Sequence, residues 1–260
     1  MKVQIFSDIH LDHSGSRGLP APVADVDLAV SAGDLCQDLT KAVEAMRRAF
    51  PKTEVAMVAG NHEFWTRRSH PEELEAGRRR AGELGVHLLE NDTAFFGSSS
   101  LRVIGATGWT DYDLFGSDLR ETAMRTAAHT MSDHKRVRWS KDPWQRFRPQ
   151  EARALHLASR AYIDAELAKF HEGPTLVLTH HACTIDAVAP LLQRSIISAA
   201  YASSLEPIID RHRLEYWVSG HTHLSMRLRR DSTRLISNPS GYATENRFYD
   251  PSFAIEVDHD

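Results

Sequence analysis

Five short apolar runs in this chain each stop at a small cluster of oxygen and nitrogen donors, and that repetition limits the folds open to it. Val3 to Phe6 runs into Asp8 and His10, and Leu28 to Ala32 closes at Gly33-Asp34. Val55 to Ala59 delivers Gly60-Asn61-His62-Glu63, and Leu176 to Leu178 ends in Thr179-His180-His181. Tyr216 to Val218 ends in Ser219-Gly220-His221-Thr222-His223. Apolar runs this short, bounded by turn residues, read as buried strands. In an open α/β sheet, ligands sit beyond the carboxyl ends of such strands. Gly60, directly after its strand, is expected to take a backbone conformation that residues with a Cβ avoid.

Helical patterns fill the gaps between these runs. Leu39, Ala42, Val43, Met46, Ala49 and Phe50 fall at helical spacing, with Asp38 as N-cap and Pro51 as the stop. Pro71 with Glu72 and Glu73 opens a second helix that Gly85 can end. Short strands follow at Val86 to Leu89, Phe95-Phe96 and Leu101 to Ile104. Strand and helix in alternation is the α/β signature. Residues 109–171 differ, being rich in Arg, Asp, His and aromatics, and read as a helical insertion within one domain spanning 1–260. Ser117 to Met131 reads as helical, as does Glu151 to Phe170, with Ala154, Ala158, Ala161, Tyr162 and Ala165 on one face. Leu205 to Arg213 reads as a short helix. Met226 to Arg229, Leu235-Ile236 and Phe253 to Val257 read as closing strands, with a turn at Asn238-Pro239-Ser240-Gly241.

Charge and cysteine content exclude several classes. A formal net charge of −4 gives no electrostatic reason for a nucleic-acid or acidic-membrane partner. No run approaches the roughly 20 apolar residues of a membrane span. Cys36 and Cys183 stand far apart, without zinc-ribbon spacing. With no signal-peptide pattern after Met1-Lys2, a cytoplasmic protein is the expectation. Histidine is unusually frequent, at 15 residues. His13, His70, His87, His156, His171, His212 and His259 read as surface or packing residues, and Asp12 as a loop carboxylate. His129 and His134, with Trp109, Tyr112 and Arg136, could line a substrate pocket.

The donors at the five run ends form a metal-ligating set. Residues two apart on an extended chain point the same way, so Asp8 with His10, and His221 with His223, could each present two donors to one cavity. Mixed carboxylate, imidazole and amide donors suit Mn, Fe, Zn or Ni and suit calcium poorly. A catalytic ion usually takes three protein ligands plus water. Asp8, His10, Asp34, Asn61, His180, His221 and His223 therefore fit two divalent ions, with the lone carboxylate of Asp34 as the natural bridge. Either His180 or His181 could be the donor of its pair.

In this order, Asp8-x-His10, Gly33-Asp34, Gly60-Asn61-His62-Glu63, His180 and Gly220-His221-x-His223 resemble the calcineurin-like metallophosphoesterase superfamily. The resemblance implies a four-layer α/β/β/α sandwich with the site at the strand ends. It assigns one ion to Asp8, His10, Asp34 and His223, and the other to Asp34, Asn61, His180 and His221. It favours His180 over His181 and makes His62 the catalytic histidine that contacts phosphate. Gly33-Asp34 continues as Leu35-Cys36-Gln37, unlike the Asp-Arg-Gly of protein serine/threonine phosphatases. Lipid A-pathway pyrophosphatases carry arginine where His62 stands. The pattern is similar to the bacterial-type branch, with its class III cyclic-nucleotide and general phosphodiesterases.

The activity so implied is hydrolysis of a phosphodiester, or of a monoester, in a small substrate. Two ions about 3.5–4 Å apart would clamp the phosphate and make hydroxide from a shared water for in-line attack. His62 would offset phosphoryl charge and protonate the leaving oxygen. A nuclease using the same metals is the alternative enzyme, and a non-catalytic scaffold on the same fold is the alternative outside catalysis.

Overall fold

A computed structural model describes residues 1–97 and 100–257, which leaves His259 outside the described residues. The first sheet holds four parallel strands, β1 (Lys2–Phe6), β2 (Leu28–Ser31), β3 (Glu54–Met57) and β4 (His87–Leu88). In the second, β5 (Asp92–Phe96) pairs antiparallel with β6 (Leu101–Ala106), which lies parallel to β9 (Thr175–Thr179) and β10 (Tyr216–Ser219). β11 (Met226–Arg230) and β12 (Thr233–Ser237) complete it in the order β11-β12-β10-β9-β6-β5. β13 (Ala254–Glu256) returns to the first sheet, antiparallel to β1. β7 (Arg138–Lys141) and β8 (Trp144–Arg146) form a separate hairpin.

Side-chain alternation along the strands builds the layers. Val3, Ile5, Leu28, Val30, Ala56 and Val58 of the first sheet pack against Val103, Leu176, Leu178, Val218 and Ile236 of the second. The opposite faces are covered too. Ala29, Val55 and Met57 lie under α1 (Leu39–Ala49) and α2 (His70–Leu84) through Leu39, Val43, Met46 and Ala81. Ile104, Val177, Trp217 and Leu235 lie under α5 (Pro149–Leu167) and α6 (Glu206–His212) through Ile163, Leu167, Ile208 and Ile209. The result is the four-layer α/β/β/α sandwich expected from the sequence. Strands buried on both faces read as continuous apolar runs, which is why they stood out.

Helix ends follow their sequence signals. Asp38 accepts from the backbone N–H groups of Thr40 and Lys41 at the start of α1. Ser69 and Glu72 form a capping box on α2, and Gly85 ends it in the left-handed region at φ 64°. The 109–171 stretch contains α3 (Arg120–Thr130), the short α4 (Asp133–Arg136), the β7–β8 hairpin and α5. The hairpin was not expected, and Asp142-Pro143 forms its turn. The packed face of α5 also differs from expectation. Ala152, His156, Ser159, Ile163 and Leu167 are buried, whereas Ala154, Ala158, Ala161 and Ala165 are exposed. Alanine is the best helix former at solvent positions as well, so a row of alanines does not identify the inner face. Among the described residues no helix is long and apolar enough to cross a membrane.

Candidate metal centre

The parallel strands of both sheets end at one rim, and the loops leaving it carry the donors. These loops do not continue the strands. Asp8, His10, Asp34, His221 and His223 have φ of 53°, 48°, 55°, 67° and 53°, the left-handed region that non-glycine residues rarely enter. The pairs Asp8/His10 and His221/His223 thus converge through tight turns and not by the extended alternation expected from their spacing. Backbone strain of this kind collects at functional sites. Gly60 is needed for a different reason than expected. Its φ is not positive; instead a Cβ there would overlap Asp34 Oδ1 and come within 2.5 Å of Asp34 N. Glycine lets the third loop press against the second.

Glu63 fixes that junction. Its buried carboxylate accepts from Gly60 N at 2.7 Å, Asp34 N at 3.0 Å and Leu35 N at 2.7 Å. Burial raises its pKa to about 7 despite these bonds. The His62 backbone N–H donates to Asp34 Oδ1 at 2.9 Å. Asp34 is thereby held from both sides.

Seven donors expected from the sequence come together. On one side His10 Nε2 and His223 Nε2 are 3.1 Å apart, with Asp8 Oδ1 3.4 Å from His223 Nε2. On the other, His180 Nε2 lies 2.9 Å from Asn61 Oδ1 and 3.1 Å from His221 Nδ1. Asp34 stands between, Oδ2 being 3.8 Å from His10 Nε2 and Oδ1 3.6 Å from His180 Nε2. His62 Nε2 is also 3.8 Å from Asp34 Oδ2. Of the adjacent histidines, His180 joins this cluster, while His181 directs Nδ1 at the Thr107 carbonyl oxygen, 3.3 Å away.

An inventory of protons shows what the cluster lacks. His180 Nδ1 lies 2.7 Å from the Ala32 carbonyl oxygen, which can only accept, so the ring proton is there and Nε2 offers a lone pair. Asn61 Nδ2 donates to Asp133 Oδ1 at 2.7 Å, so Asn61 presents its carbonyl oxygen inward. Burial keeps His180 and His221 neutral by lowering their pKa values, and His221 Nε2 is buried without a partner. Lone pairs of His180 and Asn61 thus face each other at 2.9 Å with no proton between them, which a cation satisfies.

Electrostatics at the other donors agree. Burial, with the charges of Glu63 and Asp8, pushes the Asp34 carboxyl well above the usual carboxylate range. A divalent cation supplies the positive charge that Asp34 needs to ionise there. Burial lowers the His10 pKa to about 4. For His223 burial is outweighed by hydrogen bonds to Asp8 and to Glu245, 2.6 Å from Nδ1, which raise the pKa to about 9. A proton on Nε2 of His223 therefore competes with a metal ion for that lone pair. The donor set fits two divalent cations.

A cleft of about 350 Å³ opens from the cluster, walled by Asn61, Trp65, Met131, Asp133, Val188, Leu192, Tyr201, His221, His223, Tyr242 and Glu245 among others. Of the residues suggested for a substrate pocket, Arg136 sits 4.6 Å over the ring of Trp65, which walls the cleft, and Trp109, Tyr112, His129 and His134 lie elsewhere. Trp109 is buried between Phe147 and His181. His134 faces the Tyr112 hydroxyl at 3.2 Å, and exposed His129 bonds the Arg125 carbonyl in its own helix. Asp12 accepts from Gln37 at the surface. Asp133, Tyr242 and Glu245 carried no sequence signal; Asp133 stands beside His134 in the insertion, and the other two follow the expected 238–241 turn.

The calcineurin-like phosphoesterase family matches over residues 1–225. A phosphopantetheinyl hydrolase from Mycobacterium tuberculosis superposes with a TM-score of 0.76 at 19% identity, covering 100% of this chain and 96% of that one. A dimetal phosphatase from Danio rerio gives a TM-score of 0.49 at 15% identity, covering 91% and 86%. No curated protein sequence matches the chain.

Proposed function

The chain belongs to the calcineurin-like phosphoesterase family, and from that premise we propose that it is a dinuclear metal-dependent hydrolase of small phosphodiesters. The observation that carries this reading is Asp34, whose two oxygens face separate donor sets on either side. One set is Asp8, His10 and His223; the other is Asn61, His180 and His221. Two divalent cations held there would supply Lewis-acid charge and lower the pKa of a bound water. Of the chain's own groups, His62 stands beside the donor set, placed to meet the phosphoryl group. Its ring stacks on Trp65, with centroids 3.5 Å apart, and Nε2 faces the cleft rim near Tyr242.

The cleft favours a diester over a dianionic monoester. Among the described residues that line it there is no Lys or Arg, while Asp133 and Glu245 are acidic. Trp65, Met131, Val188, Ala189, Leu192 and Tyr201 offer apolar surface for the second ester arm. An uncharged, extended arm suits these walls. A phosphopantetheine diester has such an arm, and the name of the mycobacterial neighbour makes it the first natural candidate to try.

The deciding experiment is metal analysis of the purified protein, with hydrolysis of bis-p-nitrophenyl phosphate and of p-nitrophenyl phosphate in added Mn. Two ions per chain and faster turnover of the diester are expected, both lost in Asp34→Ala. A wild-type chain that takes up no metal, or hydrolyses neither ester, would overturn the reading.

A further inference from the structure

The loop after β12 places one aromatic hydroxyl over the metal centre. Ser240 N donates to the Ser7 carbonyl at 2.9 Å and Gly241 N to the Asp8 carbonyl at 3.0 Å, so this loop is tied to the one that carries Asp8 and His10. Gly241 turns the chain at φ 69°, and Glu245 Oε2 accepts from Tyr242 N at 3.1 Å while also meeting His223 Nδ1. The Tyr242 ring is stacked on His10 at 4.4 Å and meets the edge of His223 at 4.9 Å. So clamped, its hydroxyl reaches into the cleft, 3.2 Å from His62 Nε2.

We propose that Tyr242 is a catalytic residue whose hydroxyl donates a hydrogen bond to a phosphoryl oxygen of the bound ester, beside His62. The inference rests on the phosphoesterase reading. The Tyr242 hydroxyl and His62 Nε2 are hydrogen-bonded to each other at 3.2 Å, close enough that one oxygen can come within hydrogen-bond reach of both and take the hydroxyl proton. The ring has little freedom to swing away, because His10 is stacked on one face and His223 packs against it at 4.9 Å. A donor fixed before the substrate arrives needs no reorganisation as charge builds on phosphorus oxygens. The loop's anchoring to the Asp8 segment and to His223 explains how a residue 180 positions from His62 keeps that register.

Tyr242→Phe removes the hydroxyl and keeps the stack on His10. With bis-p-nitrophenyl phosphate it should lower kcat by about 10²–10³-fold, the usual cost of losing one such donor. KM and metal content should stay near wild type. Inorganic phosphate binding to the Mn-loaded protein separates direct contact from an effect through His62. If the hydroxyl touches phosphate, Tyr242→Phe weakens phosphate affinity even in a His62→Ala background; if it only orients His62, the substitution changes nothing there. Unchanged phosphate affinity in that background, wild-type turnover, or metal loss in step with activity would each overturn the proposal. If wild type binds phosphate but hydrolyses no ester, the function reading fails and the phosphate affinities alone decide Tyr242. If it binds no phosphate, the proposal fails as well.

Discussion

Asp133 Oδ1 accepts a hydrogen bond from Asn61 Nδ2 at 2.7 Å, joining the insertion to the metal centre across 72 positions of sequence. The same oxygen accepts from Trp65 Nε1 at 2.8 Å. A carboxylate at this distance settles which way the Asn61 amide faces, because only the nitrogen can donate to it.

Asp133→Ala should therefore let the Asn61 amide turn. Partners that orient a metal ligand typically contribute 10- to 100-fold in metal affinity. In a calorimetric titration with Mn, one of two binding events should weaken by about that factor. The event governed by Asp8, His10 and His223 should hold. Equal weakening of both, or of neither, would separate Asp133 from Asn61's orientation.

Burial of His70 predicts an acid-sensitive step in stability. Its ring is stacked on Phe64 at 4.2 Å, Nε2 has no partner, and burial lowers its pKa to about 4. In the unfolded chain the value is about 6.5, so between these limits the unfolded state binds more protons. The stability that neutral His70 contributes is fully present above about pH 6.5 and is lost as pH falls towards 4. At about pH 5 the loss is on the order of 2 kcal/mol. His70→Phe keeps the stacking and cannot take up a proton. Urea unfolding of both proteins at about pH 7.5 and pH 5 should show the variant losing roughly 2 kcal/mol less on acidification. Identical pH dependence would mean that His70 is solvated when the protein is folded.

The donors were legible in the sequence because each follows an apolar run, and a strand buried on both faces announces its own end. The layer order came from the family resemblance; the runs and the capped, amphipathic α1 indicated only strand and helix in alternation. The residues that tune the donors left no such trace. Asp133 opens the short α4, and Tyr242 and Glu245 lie well along the loop after β12, so none directly follows an apolar run, and all three reach the site through space. Gly60 was read as a conformational need, when the contact with Asp34 that excludes a Cβ is visible only once two loops are placed together. The β7–β8 hairpin is half-buried or exposed throughout, so no apolar alternation marked it.

His62 is the residue at which binding and turnover should part. Its backbone N–H, not its ring, holds Asp34 Oδ1 at 2.9 Å, and alanine keeps that bond. His62→Ala should then retain both cations while kcat on bis-p-nitrophenyl phosphate falls by about 10²–10³-fold, the range for loss of one hydrogen-bond donor to the phosphoryl oxygens, since burial holds the His62 pKa well below its ordinary value and keeps the ring neutral. Asn61→Ala and His221→Ala should instead lose metal, since each removes a donor from the set around His180. Metal analysis beside steady-state rates for the three variants checks the division. Loss of a cation from His62→Ala would move His62 Nε2, 3.8 Å from Asp34 Oδ2, from the phosphate side of the site into the ligand set.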